Sequence, residues 1–145
     1  MQSSPRSGFN RRVWLGVLVG WLLSIGSAEV LSELVVVAGN SWELAAGREA
    51  LWFTHTRNPS HLAWFAQQFA VILGCAVAGY IGAHLAPRRA WAVPVGLVAL
   101  SLLSAFFAQL PRSNSLVVLL IFSLAPAVAL AAGVAVNWRH RRNDA

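Results

Sequence analysis

Four apolar runs, over residues 13–38, 61–86, 91–110 and 116–138, constrain this chain more than any other feature. A hydrocarbon layer roughly 30 Å thick takes about 20 helical residues at a rise of about 1.5 Å each. No water is present inside such a layer to bond the backbone, so each run must satisfy its own peptide groups as an α-helix. The sequence therefore predicts an all-α fold: an integral membrane four-helix bundle, with a cytoplasmic tail over residues 1–12 and another over 139–145. Composition points the same way. Of 145 residues, 57% are hydrophobic and only 11% charged, whereas a soluble domain carries roughly 25% charged residues at amphipathic intervals. The length leaves room for one bundle and no second domain.

The net charge of +6 comes entirely from arginine, for the chain has no lysine. Eight arginines fall in the N-terminal tail, the turn at 87–90 and the C-terminal tail, and three in the other two loops. The positive-inside rule places the first set, and with it both termini, in the cytoplasm. Trp14, Trp91 and Trp138 then mark the inner interface, and Trp42, Trp52 and Trp64 the outer one. The expected location is a cell inner (plasma) membrane, with the lipid bilayer as first partner. No basic stretch is long enough to bind nucleic acid.

Two boundaries admit more than one reading. Arg11-Arg12, an apolar stretch and Gly26-Ser27-Ala28 have the layout of a signal peptide, and Asn10 to Leu15 that of a twin-arginine signal. Residues 31–38 stay apolar past that cut and three further runs follow, which favours a retained helix. In the loop over 39–61, Asn40 and Glu43 have capping-box spacing and predict a short interfacial helix from Ser41 to about Phe53. Asn58-Pro59 reads as the N-cap and first residue of the second long helix. Pro87-Arg88-Arg89 ends that helix. Residues 111–115 read as a tight turn capped by Ser113 or Ser115, and Pro126 as a kink in the last helix. A loose internal similarity relates residues 69–89 to 122–142.

Small residues at four-residue intervals let helix backbones approach closely where lipid removes the hydrophobic drive between helices. Gly74, Ala78 and Gly82 do this in the second run, beside Cys75, Gly79 and Ala83, leaving Leu62, Phe69, Leu73, Val77 and Tyr80 for lipid. Gly16 and Gly20 do it in the first run, continued by Ser24 and Ser27. At 100° per residue, Glu29 and Glu33 project from nearly the opposite side. The first helix should thus touch protein or a wet cavity on both sides, either at the centre of the bundle or against a partner.

Glu29 and Glu33 are the main functional candidates, because a carboxylate at membrane depth is costly unless paired, hydrated or protonated. Counted inward from the outer surface, Glu33 and Gln67 lie level, Ser104 and Ser123 slightly deeper, and Gln68 and Gln109 nearer the rim. Together they predict a polar layer able to hold a proton, a cation or a polar ligand, or to fix helix register. His55, His61, Glu43 and Glu49 are the external metal-ligand types, in no zinc-site spacing. His84 is expected to reach the inner interface. Cys75, the single cysteine, reads as a small buried hydrophobe. There is no HExxH, GxSxG, phosphate-binding glycine loop or CxxCH, so no enzyme, cofactor or metal is expected.

The stretch Ala78-Gly79-Tyr80-Ile81-Gly82-Ala83-His84-Leu85-Ala86-Pro87-Arg88-Arg89 resembles one that recurs in small four-helix bacterial inner-membrane proteins, largely of unknown function. The resemblance covers the second run and its exit, and implies fold and location without an activity. Two functions remain open. One is a non-enzymatic interaction or accessory subunit, homo-oligomeric or paired with another membrane subunit through the first two long helices. The other is a small transporter or channel for protons, cations or polar solutes that uses Glu29 and Glu33.

Overall fold

The computed structural model describes the backbone of residues 6–56, 61–87, 90–109 and 116–143, and the side chains of 11–56, 61–87, 90–104, 107 and 124–143. The described residues form five helices and no strand: α1 (Arg6–Ala45), α2 (Trp52–His55), α3 (Leu62–Leu85), α4 (Ala92–Gln109) and α5 (Leu116–Asn143). Two helices, over Arg11–Ala45 and Leu62–Leu85, are long and apolar enough to cross a membrane; α4 has a shorter apolar stretch, Ala92–Ser104. The expected turn at 111–115, the Asn58-Pro59 start and Arg88-Arg89 lie outside the described residues.

The first helix departs most from expectation. It spans 40 residues, about 60 Å at 1.5 Å per residue. It begins at Arg6, inside the segment expected to be a disordered tail, because residues 6–12 contain no proline and extend the helix of the apolar run. It also continues through Gly39-Asn40-Ser41, where the sequence suggests a stop and a new helix. Gly39 is a contact point instead: a Cβ there would collide with the indole of Trp52. The helix ends at a Schellman motif, with Gly47 at φ +69° and hydrogen bonds from Gly47 N to Leu44 O (3.0 Å) and from Arg48 N to Glu43 O (2.9 Å).

The supposed capping box is therefore a correction with a specific cause. Asn40 and Glu43 lie within α1, and their side chains cap another element. Asn40 Oδ1 accepts from Trp52 N (3.0 Å) and Glu43 Oε2 from Leu51 N (2.9 Å). They fasten the four-residue α2 onto the last turns of α1. The described part of α3 starts with His61 as N-cap: the His61 ring accepts from Ala63 N (3.1 Å) at Nδ1. At the other terminus, α5 passes Pro126 without a break and continues to Asn143, where arginines suit the negative end of the helix dipole.

α1 packs on α3 and α4, and α5 closes the ring against α3 and α4. No helix occupies the centre. The α1–α3 contact is backbone on backbone. A Cβ at Gly16 would lie 2.5 Å from Gly82 O, one at Gly20 3.2 Å from Gly82 Cα, and one at Gly74 2.9 Å from Ser27 Oγ. On the other side of α3, Gly79 abuts the Leu130 carbonyl and Gly133 of α5 abuts the Ala76 carbonyl. The small residues of α3 thus serve two neighbours, while Leu62, Phe69, Leu73 and Val77 stay exposed.

Three apolar clusters form the core. One joins Val13, Val17, Ala83, Val93, Leu97 and Val134; one joins Cys75, Ala78, Ala129 and Leu130; one lies where Val36 and Ala63 meet Trp52.

The glycine seam makes a direct prediction. Gly82→Leu should destabilise the protein by about 1–3 kcal/mol, because a side chain cannot enter without separating α1 from α3. Gly26→Ala, on a face with nothing within 4 Å of the new Cβ, should be neutral or stabilising by about 0.5–1 kcal/mol. Equilibrium unfolding in mixed detergent, followed by circular dichroism, checks both signs.

Candidate functional site

Above the tight contact of Gly96 with Val17, where a Cβ on Gly96 would lie 3.0 Å from Val17 Cγ1, α1, α3 and α4 line an open cleft of about 550 Å³. It forms because one face of α1 carries Trp21, Ser24, Ile25, Ala28, Glu29 and Ser32 in an i, i+3, i+4 series. The opposite wall comes from Gln67, Gln68, Val71 and Cys75 of α3, and the sides from Ser101 and Ser104 of α4 and Pro126 of α5.

Two hydrogen bonds cross the cleft walls. Trp21 Nε1–H donates to Ser104 Oγ (2.9 Å), and Ser104 in turn donates to Leu100 O (2.7 Å). Gln67 Nε2 donates to Ser32 Oγ (2.6 Å). Ser24 donates to its own helix at Trp21 O (2.7 Å). The first two bonds lock α4 and α3 to α1 at defined heights.

The sequence candidates divide accordingly. Glu29, Gln67 and Ser104 meet in the cleft, and Gln68 joins them. Glu33 does not line it: one turn along, it stands beside the exposed Val30, Leu34 and Val37, and both carboxylates are exposed, Glu29 at the mouth of the cleft. Neither carboxylate has an ion-pair or hydrogen-bond partner among the described residues. The side chains of Ser123 and Gln109 lie outside the described residues. Of the packing candidates, Gly16, Gly20, Gly74, Ala78 and Gly82 are all buried. Ser24, placed with the glycines from sequence, shares the cleft with Glu29, so the two sides of α1 are not strictly opposed.

Trp21, Ser32 and Ser101 were not singled out from the sequence. Their signal is present as spacing: Ser32 follows Glu29 by three residues and Ser101 precedes Ser104 by three. Asn137 was missed too. It is fully buried (0% exposed), with Nδ2 3.5 Å from His84 Nδ1. His84 is itself exposed and stacked on Tyr80. Beside it, Arg141 donates to the carbonyls of His84 and Ala86 and so satisfies the end of α3.

At the far end, two of the four possible metal ligands, His61 and Glu43, are engaged in helix capping. His61 Nδ1 caps α3, its ring stacks on His55 at 4.1 Å, and the Glu43 carboxylate caps α2. Among the described residues no three His, Cys, Asp or Glu side chains converge on a metal position. Compared with known protein families, curated proteins and solved structures, the chain matches none.

The Ser32–Gln67 bond is testable on its own. A cycle of Ser32→Ala, Gln67→Leu and the double variant should show a coupling of about 1 kcal/mol in unfolding free energy. A coupling near zero means that the bond does not hold α3 to α1.

Proposed function

We propose that this chain is a membrane protein of four spans (α1, α3, α4 and α5) with both termini cytoplasmic, acting as a non-enzymatic interaction or accessory subunit. The length and apolar character of α1 and α3 support the spans, as do the apolar compositions of α4 and α5. Aromatic pairs at the two ends of the bundle support the orientation. Trp91 meets Trp138 at 5.0 Å near the arginine-rich end, and Trp42 meets Trp52 at 6.2 Å near the other. The resemblance of residues 78–89 to small inner-membrane proteins adds to the location.

One observation carries the interaction reading. Glu33 has no partner among the described residues and stands on an exposed apolar face of α1, flanked by Val30, Leu34 and Val37, with Gly26 two turns away and open. The glycines of α1 that face α3 are used within the bundle; this face is not. A carboxylate in such a place calls for a donor or cation from outside, and Gly26 gives a second helix room to approach. The partner that fits is a membrane helix with Arg, Lys, His or a polar donor at the depth of Glu33.

A second reading, a carrier of protons, cations or polar solutes, draws on the cleft, which Glu29 lines and Glu33 does not. The two readings therefore separate by residue.

A photo-crosslinking residue in place of Val30 should give a discrete adduct in native membranes, reduced by Glu33→Gln. The same probe in place of Val77, on the exposed face of α3, should give only lipid products. Equal adducts at both sites, or an adduct indifferent to Glu33→Gln, would remove the basis for a partner on α1.

A further inference from the structure

The cleft between α1, α3 and α4 has a chemical bias that its single charged group sets. Four donors there are engaged: the Trp21 indole on Ser104, the Ser104 hydroxyl on Leu100 O, the Ser24 hydroxyl on Trp21 O, and one Gln67 amide N–H on Ser32. The Gln68 amide and the Ser32 and Ser101 hydroxyls keep both donor and acceptor capacity, and the one charge in the described lining is the Glu29 carboxylate. Glu29 offers two carboxylate oxygens, Gln67 its amide oxygen, and Ser24 a lone pair on Oγ. No arginine or histidine is among the described residues that line the cleft. Such a cavity repels anions and rewards a group that brings both hydrogen and positive charge.

Its size and its remaining lining narrow the class further. About 550 Å³ is far larger than a bare metal ion needs, and one carboxylate is too few for a divalent cation, which gathers several charged or carbonyl oxygens. The volume falls instead within the range of organic ligand sites. Ile25, Val71 and Pro126 supply apolar walls, and the Trp21 ring in the same wall suits a cation as well as an apolar body.

We infer that this cleft is a binding site for a monovalent organic cation, a primary ammonium on a small apolar body, with Glu29 as its counter-ion and Gln67 and Ser24 as acceptors for its N–H groups. The site stands on the cleft alone and does not depend on a partner at Glu33. In a membrane, a carboxylate opening on such a cavity is stabilised by a cation that the cavity can also desolvate.

The probe is benzylammonium, with benzyl alcohol and benzoate as neutral and anionic isosteres, added to the full-length protein in detergent. Binding is read by isothermal titration calorimetry. Benzylammonium is expected to bind saturably, the alcohol at least roughly tenfold more weakly and benzoate not at all. Glu29→Gln should weaken benzylammonium roughly tenfold or more while circular dichroism stays unchanged, and Glu33→Gln should leave it intact. Ser24→Ala, which removes one acceptor and no charge, should weaken it by a smaller factor. The site is overturned if benzylammonium does not bind saturably, if benzyl alcohol or benzoate binds equally well, or if the folded Glu29→Gln protein binds as the native one does. Loss of the α1 photo-adduct in Glu33→Gln with benzylammonium binding retained supports the partner surface without touching the cleft. The converse supports the cleft alone.

Discussion

The architecture depends on how closely two backbones approach. Gly16 and Gly20 of α1 meet Ala78 and Gly82 of α3 backbone to backbone, with Leu97 of α4 packed against the same seam. Contact at that distance holds the two helices together by dispersion and close main-chain packing. Once α1 and α3 are fixed to each other, Ser32 and Gln67 lie opposite and can bond. α3 then offers its other small residues to α5, and α4 is left to close the ring against α1 through Val17 and Gly96. The cleft is the part of the ring that this closure does not fill.

The division of labour along α1 follows from helical geometry. Four residues advance the azimuth by about 40° beyond a full turn. That small rotation takes Glu29 to the rim of the cleft and Glu33 out onto the open face. Two carboxylates that look like a pair in the sequence therefore serve different surroundings. Each has its own set of neighbours, and the functions proposed for them are separable for that reason.

Much of the helical framework was legible in the sequence. Long apolar runs leave the chain few alternatives to helix, and the runs at 61–86 and 91–110 correspond to Leu62–Leu85 and Ala92–Gln109. Small residues at four-residue spacing marked the faces on which α3 packs. The misreadings share one cause: a local signal was assigned to its own segment when its partner was distant. Position 39 read as the start of a loop because nothing nearby in sequence showed that Trp52 would lie against Gly39. Asn40 and Glu43 read as a capping box because their spacing puts two acceptors on one helical face, and that arrangement serves equally well to cap another helix. Of the candidate site, Glu29, Gln67 and Ser104 were visible as polar residues in apolar runs. Trp21 was not, since an indole inside a hydrophobic helix looks like packing until its N–H is seen on Ser104.

The uninterrupted 40 residues of α1 have a mechanical consequence. A rod of about 60 Å that tilts by only about 5° carries its far end sideways by about 5 Å. Asn40 and Glu43 pin α2 to that far end, and Trp52 seats on Gly39. The α2 cap must therefore travel with the rod instead of absorbing its motion. Arg11 and Arg12 at one end and the Trp42–Trp52 pair at the other are thus joined by a single stiff lever, whose middle third forms one wall of the cleft.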